Sequence, residues 1–585
     1  MLPFVSSLIA FLALVVTRHM AAVPSKRNAE IGILFNQPVT WPQRLPGYSD
    51  DTCGSACIPR NRTNYNVGPR PIRFVIRFPI SMAAPSLLEI QSQLSSSSMQ
   101  LSKGVDVVVL KNLNTYIIEP GLGNNDEDLK VLWDYLHQRG GVVEADKVAT
   151  LSSPDSSAPL MAEPTQVNDQ NADDTSTTSG PASMGQTTAE AEGNNGDDNE
   201  GRQYRFPPEQ WYIDMLGVKQ ALHKLSTMQT EPIKVCIVDT GVNYQHEALK
   251  HAFDPYTVES VVKDARGNDT RATVDETYGV NFVNGTTDPM DHHGHGTNIA
   301  GVIAAKIDSR DLTYGVNPHA RIIACKAFGD DRTGRLSDIL KCIDYCITRK
   351  AHIQNHSWQI REDTYALRTA FVDAEEKGIL MVVSAGNAAH GEPKAYNNQT
   401  EGIYPASYLS FATNLLAVAG FQKTGDRIMQ RVLRGCRGST GNPDECLVSK
   451  LQTYQMYDRS KYGPYISLII APAKEIYTTG LLNDIVVAEG SSIAAGIMSG
   501  ISSLLISPIV NGKRIKPCKA PLFIQQEITT LNFAIRKAKW KGYTDAFKTL
   551  NAVIDHLNGV KKLPKLAPFV PQRCVEFEVP STTEA

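Results

Sequence analysis

Beyond residue 16 the chain has no apolar run long enough to cross a bilayer, so stable membrane insertion is not expected. It also lacks an excess of charge of either sign: 58 Lys and Arg stand against 61 Asp and Glu, a formal net charge of -3. A nucleic-acid binder would show a basic face or stripe, and none is visible. Between Lys147 and Arg202 there is no basic residue at all, against ten acids and almost no large apolar side chains. Such a stretch cannot bury enough apolar surface to offset the entropy of ordering it. It reads as a disordered acidic linker over 151–204. The N-terminus has its own omission, since no Lys or Arg precedes the apolar run Leu8 to Val16. That run is too short to span a membrane and leads to Ala21-Ala22. It reads as a signal peptide over 1–23.

What is present is globular in composition. The 585 residues are 42% hydrophobic and 20% charged, enough for two or three domains. Ten cysteines suit an oxidising, secretory compartment. The triplets starting at Asn61, Asn268, Asn284 and Asn398 match the glycosylation acceptor pattern and agree with that route. Residues 25–150 contain the strand-like runs Ile72 to Phe78, Val105 to Leu110, Thr115 to Ile118 and Val142 to Glu144. Amphipathic helix candidates at Pro85 to Leu94 and Asp126 to Arg139 lie between them. The order β-α-β-β-α-β fits a ferredoxin-like α+β domain. From about Pro207 strands and helices alternate, starting with the buried strand Ile233 to Val238. This argues for an α/β domain with a mostly parallel central sheet covered on both faces. In such sheets active sites lie at the carboxyl ends of the strands.

Four motifs fall at such ends. Val238-Asp239-Thr240-Gly241 closes the first buried strand, where an aspartate can accept a hydrogen bond from an imidazole. Asp291-His-His-Gly-His295-Gly-Thr-Asn298 sets a histidine between two glycines at a helix start. Val383-Ser-Ala-Gly-Asn387 places an amide donor at another strand end. Glu489-Gly-Ser-Ser492-Ile-Ala-Ala-Gly496 carries a serine into a helix of small residues. Each alone is ordinary turn or cap chemistry. The histidines His292, His293 and His295 lack the H-x-x-x-H spacing that would converge on zinc. Together, however, the four provide an acid, a base, an oxyanion donor and a nucleophile.

This set resembles the subtilisin-type serine endopeptidases, whose triad runs Asp, His, Ser along the chain. The resemblance covers roughly Pro207 to Leu557 and implies a subtilisin-like three-layer catalytic domain over 205–560, with a short tail at 561–585. It implies that Asp239 orients the base His295, that Ser492 is the nucleophile, and that Asn387 completes the oxyanion hole. Asn355-His-Ser-Trp-Gln359 and Phe328 to Gly334 look like the strands that flank an extended peptide substrate. Domain 25–150 becomes an inhibitory prodomain, with Val142-Val-Glu-Ala-Asp146 resembling its last strand and self-cleavage expected between about Asp146 and Gly201. The expected partners are protein or peptide substrates and the chain's own prodomain.

Several positions depart from the family. Asn298 replaces a second histidine, at a structural position. Ser491, Ile493 and Gly496 replace Thr, Met and Pro around the nucleophile. Gln359 replaces a glycine in a substrate strand. Ala248 stands where many relatives carry a calcium-ligating aspartate, while Asp308 remains in the partner loop. Structural calcium is therefore implied with its ligands unassigned. Pairings Cys325–Cys342, Cys236–Cys346 and Cys436–Cys446 look like those of apicomplexan parasite subtilisins, which act in secretory organelles and at release from host cells. Buried free thiols are the alternative. A peptide-binding pseudoprotease is a rival that the full triad disfavours. An esterase would show the order Ser, Asp, His and a Gly-x-Ser-x-Gly turn, and neither occurs.

Overall fold

The first strand-like run folds as the centre of a small antiparallel sheet. In this computed structural model the described residues are 73–78, 105–120, 137–138 and 140–151, and then 206–562 apart from 208–209, 264–268, 308–311, 390–391, 393–401, 411, 424–453, 464–468 and 530–541. Strand β1 (Phe74–Arg77) pairs with β3 (Thr115–Pro120) on one side and β4 (Val142–Ala145) on the other. The outer strand β2 (Val105–Leu110) pairs with β3, giving the order β2-β3-β1-β4. Both helix candidates of this region lie outside the described residues, except for 137–138.

After β4 the chain leaves this sheet and forms β5 (Val148–Leu151), which no sequence signal had indicated. The domain boundary expected at 150 falls inside it. The acidic stretch that follows, the leader and the tail beyond 562 lie outside the described residues.

Lys234-Val-Cys-Ile-Val-Asp239 is apolar toward both faces, as a strand in the middle of a parallel sheet must be. It forms β6 inside an eight-stranded sheet. Parallel neighbours are Arg321–Lys326 on one side and Ile353–His356 on the other. Gly279–Asn281 extends the sheet beyond the first; Leu380–Ser384, Leu415–Lys423 and Ile469–Pro472 extend it beyond the second, all in parallel. Tyr454–Met456 is antiparallel at that edge.

Alternate side chains of the sheet enter two separate cores. Val235 and Ile237 pack with the helices Val218–Ser226, His295–Ala304, Ser491–Ile506 and Ala546–Leu557. Cys236 and Val238 pack on the opposite face with Leu336–Thr348 and Tyr365–Glu376. The disulfides Cys236–Cys346 and Cys325–Cys342 tie strands to the first of those two helices, in the pairing expected from the resemblance. Cys518 is also disulfide-bonded, whereas Cys436 and Cys446 lie outside the described residues.

The small sheet docks on these same two helices. Val75, Leu110 and Ile117 join their core. Around that apolar centre, charged side chains meet helix ends. Glu144 accepts from the N–H groups of Tyr365 (2.9 Å) and Ala366 (2.8 Å) at one helix start. Asp146 accepts from the N–H (2.8 Å) and hydroxyl (2.7 Å) of Ser337 at the other. Unsatisfied N–H groups and the helix dipole favour carboxylates there. Arg77 and Asp373 form a buried ion pair at 2.7 Å, and Asn112 donates its N–H to Asp344 (2.8 Å).

Candidate active site

Asp239 is the last residue of β6, and its position in the register is opposite Lys326. Its Oδ1 accepts the Thr240 N–H at 2.7 Å and faces His295 Nδ1 at 2.8 Å. His295 opens the helix His295–Ala304. That helix start lies against the strand-end turn: a Cβ on Gly296 would come 2.0 Å from the Gly241 carbonyl oxygen, so only glycine permits the approach. Both side chains are buried, with Asp239 0% and His295 4% exposed. With Nδ1 committed to Asp239, the tautomer leaves Nε2 as the basic nitrogen. It is buried and has no hydrogen-bond partner among the described residues.

Two histidines of this region are held below the ordinary imidazole range. Burial, and next the adjacent His295, push His293 down to about 4. His356 lies fully buried between Trp358 and Phe371, and burial pushes it down to about 3. Asn298 acts as a tie for the helix start. Turned so that its amide nitrogen donates, it reaches the carbonyls of Gly294 (3.1 Å) and Thr479 (2.8 Å).

Ser492 lies in the first turn of Ser491–Ile506, a helix buried over its whole length and packed against the one that carries His295. Its small residues allow the close contact. A Cβ at Gly496 would meet Val302 at 2.6 Å, so the glycine that replaces proline is filled by the neighbouring helix. The Ser492 hydroxyl points to the carbonyl oxygen of Ser357 at 3.4 Å, and the Ser357 hydroxyl donates to the Ser492 carbonyl at 3.2 Å. The structure therefore closes the Asp239–His295 bond and leaves His295 Nε2 unbonded to Ser492. Such bonds are often long or unformed until substrate is present. Asn387 follows the strand Leu380–Ser384, and its Oδ1 accepts the Ser491 N–H at 3.1 Å. That contact fixes the amide orientation with nitrogen as the donor end.

The two strands expected to flank a substrate are present in modified form. Asn355 and His356 belong to the central sheet, and the flanking segment is Trp358–Gln359. On the other side the strand is Thr333–Arg335, with Phe328 bridged to Gly334. Between them runs β5. It pairs antiparallel with both, Gly334 opposite Ala149 and Trp358 opposite Leu151, and the Leu151 N–H donates to the Arg332 carbonyl at 3.2 Å. Gln359, which replaces a glycine, directs a buried and unpartnered Oε1 to within 2.6 Å of where a Cβ on Gly386 would lie.

Among the described residues no three His, Cys, Asp or Glu side chains gather as a metal site, and no helix is long and apolar enough to cross a membrane. Ala248 offers only a buried methyl, and Asp308 lies outside the described residues. These residues do not by themselves fit calcium.

Comparison with known proteins bears on the family of the chain. The chain is 27% identical over 471 residues to subtilisin-like protease 1 of Plasmodium berghei, covering 78% of this chain and 73% of that protein. Identity is also 27% with subtilisin-like protease 1 of Plasmodium falciparum (isolate 3D7), over 59% of this chain and 47% of that protein, so the chain spans about half of that relative. The crystal structure of fervidolysin from Fervidobacterium pennivorans, a keratinolytic enzyme related to subtilisin, matches with a TM-score of 0.51 at 19% identity, over 82% of this chain and 61% of that one. The model of the subtilase family, peptidase S8, matches residues 230–527, just over half of the chain, which therefore belongs to the subtilase family of serine proteases.

Proposed function

We propose that the chain is a self-processing zymogen of a secreted serine endopeptidase, with Asp239, His295 and Ser492 as its triad. His295 Nε2 takes the hydroxyl proton as Ser492 Oγ attacks a peptide carbonyl carbon. Asp239 holds Nδ1 and supports the imidazolium that forms. The oxyanion receives hydrogen bonds from the Asn387 amide and from the Ser492 N–H, which lies in the helix's first turn. The imidazolium then protonates the leaving amine as the carbon–nitrogen bond breaks, and water repeats the cycle on the acyl-enzyme.

One observation carries this reading. Strand β5 occupies the cleft between Thr333–Arg335 and Trp358–Gln359 in the antiparallel arrangement by which an extended peptide adds to exposed strands. Its last described residue, Leu151, is opposite Trp358, and the residue before Trp358 is Ser357, whose carbonyl oxygen receives the Ser492 hydroxyl. The bond cut is then the one after the residue that follows Leu151, between Ser152 and Ser153. Residues 73–151 act as the prodomain, and the strand order β2-β3-β1-β4 supports a ferredoxin-like fold for it. N-terminal sequencing of the expressed full chain tests the reading. Wild type should yield a new terminus at Ser153, and Ser492→Ala should remain uncut. The same terminus in both proteins would refute self-processing.

Two buried disulfides favour synthesis in the secretory pathway. Asn284, in one of the acceptor triplets, is exposed there for a glycan. Action in a secretory organelle, at parasite egress or invasion, is the setting that the resemblance implies. A structural calcium ion, with its ligands unassigned, is a further family expectation, and no step above runs through it.

A further inference from the structure

The cleft strand also reports on which peptides the cleft accepts; this step rests on the protease reading above. Burial along β5 alternates. Val148 is 61% exposed, Ala149 0% and Leu151 5%, with Thr150 also exposed. Ala149 and Leu151 therefore face the enzyme. Each wall of the cleft supplies one aromatic ring beneath them. Phe328 underlies Gly334, the partner of Ala149: a Cβ on Gly334 would come 2.7 Å from the Ala327 carbonyl oxygen and 2.8 Å from Phe328 Cδ1. Trp358 comes from the other wall, opposite Leu151. The two rings lie 6.0 Å apart at a 34° tilt, both fully buried, in one apolar cluster with Ala149 and Leu151. Trp358 is backed by His356 at 5.4 Å, and His356 by Phe371 at 5.3 Å, so the indole ring is supported from behind by further rings.

We infer that Phe328 and Trp358 are specificity-determining residues that admit only a small side chain at the place held by Ala149. That is the fourth residue on the acyl side of the proposed scissile bond. The second, held by Leu151, must be apolar, because it is buried in the same cluster. The third, held by Thr150, faces solvent and is tolerant. The preferred substrates are extended segments that carry a small residue, then any residue, then an apolar one, with cleavage one residue further along. A longer side chain at the first of these places has to displace packed rings, and dense interiors resist added methylenes.

The test uses enzyme purified from the full chain after processing. Quenched fluorogenic peptides spanning residues 145–156 carry Ala, Val, Leu or Phe at the Ala149 position, and Ala or Asp at the Leu151 position. Their kcat/KM values are compared while a fluorophosphonate reports on Ser492. Phe for Ala149 should lower kcat/KM by about 10- to 200-fold, the range that a hydrophobic pocket achieves. In Trp358→Leu and Phe328→Leu enzymes the ratio between Ala and Phe peptides should shrink. The wild-type ratio stands as a test even if those variants fail to fold. Equal cleavage of the Ala and Phe peptides, or no cleavage of either, by an enzyme that labels at Ser492 overturns the specificity assignment and leaves the protease reading intact. Absence of labelling overturns both.

Discussion

The N-terminal segment that carries β1 to β5, the proposed prodomain, holds the rest of the chain at two places of opposite character. In the cleft, β5 is held mainly by backbone pairing to two short strands, with two apolar side chains inserted. On the far helices the grip is made by particular charges: Glu144 and Asp146 on helix starts, and Arg77 on Asp373. Backbone pairing tolerates many side chains wherever they point to solvent, as at Thr150, and selects only at the two inserted positions. A buried charge pair tolerates almost none, because removing one member strands the other. Cutting the chain after residue 152 would free the strand's end without touching the charged face. The prodomain would then remain as an inhibitor, and its release would be governed far from Ser492.

The largest expected effect separates chemistry from grip. Asn387→Ala should slow turnover by about 10²–10³-fold, the scale established for oxyanion donors in a bacterial subtilisin. Co-purification of the prodomain should not change, since Asn387 lies outside the charged face. A normal kcat would remove Asn387 from the mechanism. Arg77→Ala should act in the reverse sense, leaving kcat of the liberated enzyme intact. Loss of a buried partner costs roughly 3–5 kcal/mol, which would weaken prodomain retention on gel filtration at pH 8 by at least about 10²-fold. Retention equal to wild type would show that the ion pair contributes nothing to docking.

The same pair sets a pH dependence of intermediate size. Burial pushes Asp373 up to about 6, against a smaller pull downward from Arg77. Burial likewise raises Glu144 and Asp146 in the docked state. A carboxyl raised on docking binds its proton more tightly in the complex than in the separated domains. Its favourable contribution is complete below its ordinary value and is lost as pH rises through the docked one. For Asp373 the window runs from 3.8 to about 6. Prodomain retention in wild type should therefore weaken on the order of tenfold from pH 5 to pH 7. In Arg77→Ala the weakening should be steeper, since the unpaired carboxyl titrates higher still. Retention that strengthens with pH would reverse the assignment.

These two grips also differ in how far the sequence disclosed them. Asp239, His295, Asn387 and Ser492 stand out in the sequence because each lies at or just past a strand end or at a helix start, within a local motif of glycines and small residues. The Cys236–Cys346 and Cys325–Cys342 pairings followed from resemblance, and the structure has both. Strand β5 was not legible. Val148-Ala-Thr-Leu151 runs directly into an acidic polar stretch, and its extended form depends on partners of three and two residues that lie far away in the chain. The charged face was equally hidden. Glu144 and Asp146 read as ordinary strand-edge acids until two helix starts are brought against them. Trp358 read as part of a substrate strand, and only its ring contact with Phe328 shows it as a wall.

The smallest effect gives the sharpest comparison of the two grips. Thr150 lies in β5 between the two buried positions, and its own side chain is exposed. Its backbone is in register with Thr333 on one wall and Gln359 on the other. If the cleft holds the chain through main-chain pairing, Thr150→Ala removes nothing that the enzyme touches. Exposed substitutions of this kind change stability by less than about 0.5 kcal/mol, so processing at Ser152–Ser153 should proceed within roughly twofold of the wild-type rate in a pulse-chase measurement. Thr150→Pro leaves the surface equally polar-free but removes an N–H and fixes the backbone dihedral, so it should slow the same step strongly. A large loss with alanine would mean that side-chain recognition extends to the third position. The contrast between a cleft that holds the chain chiefly through its backbone and a docking face that depends on particular charges would then fail where it is most directly testable.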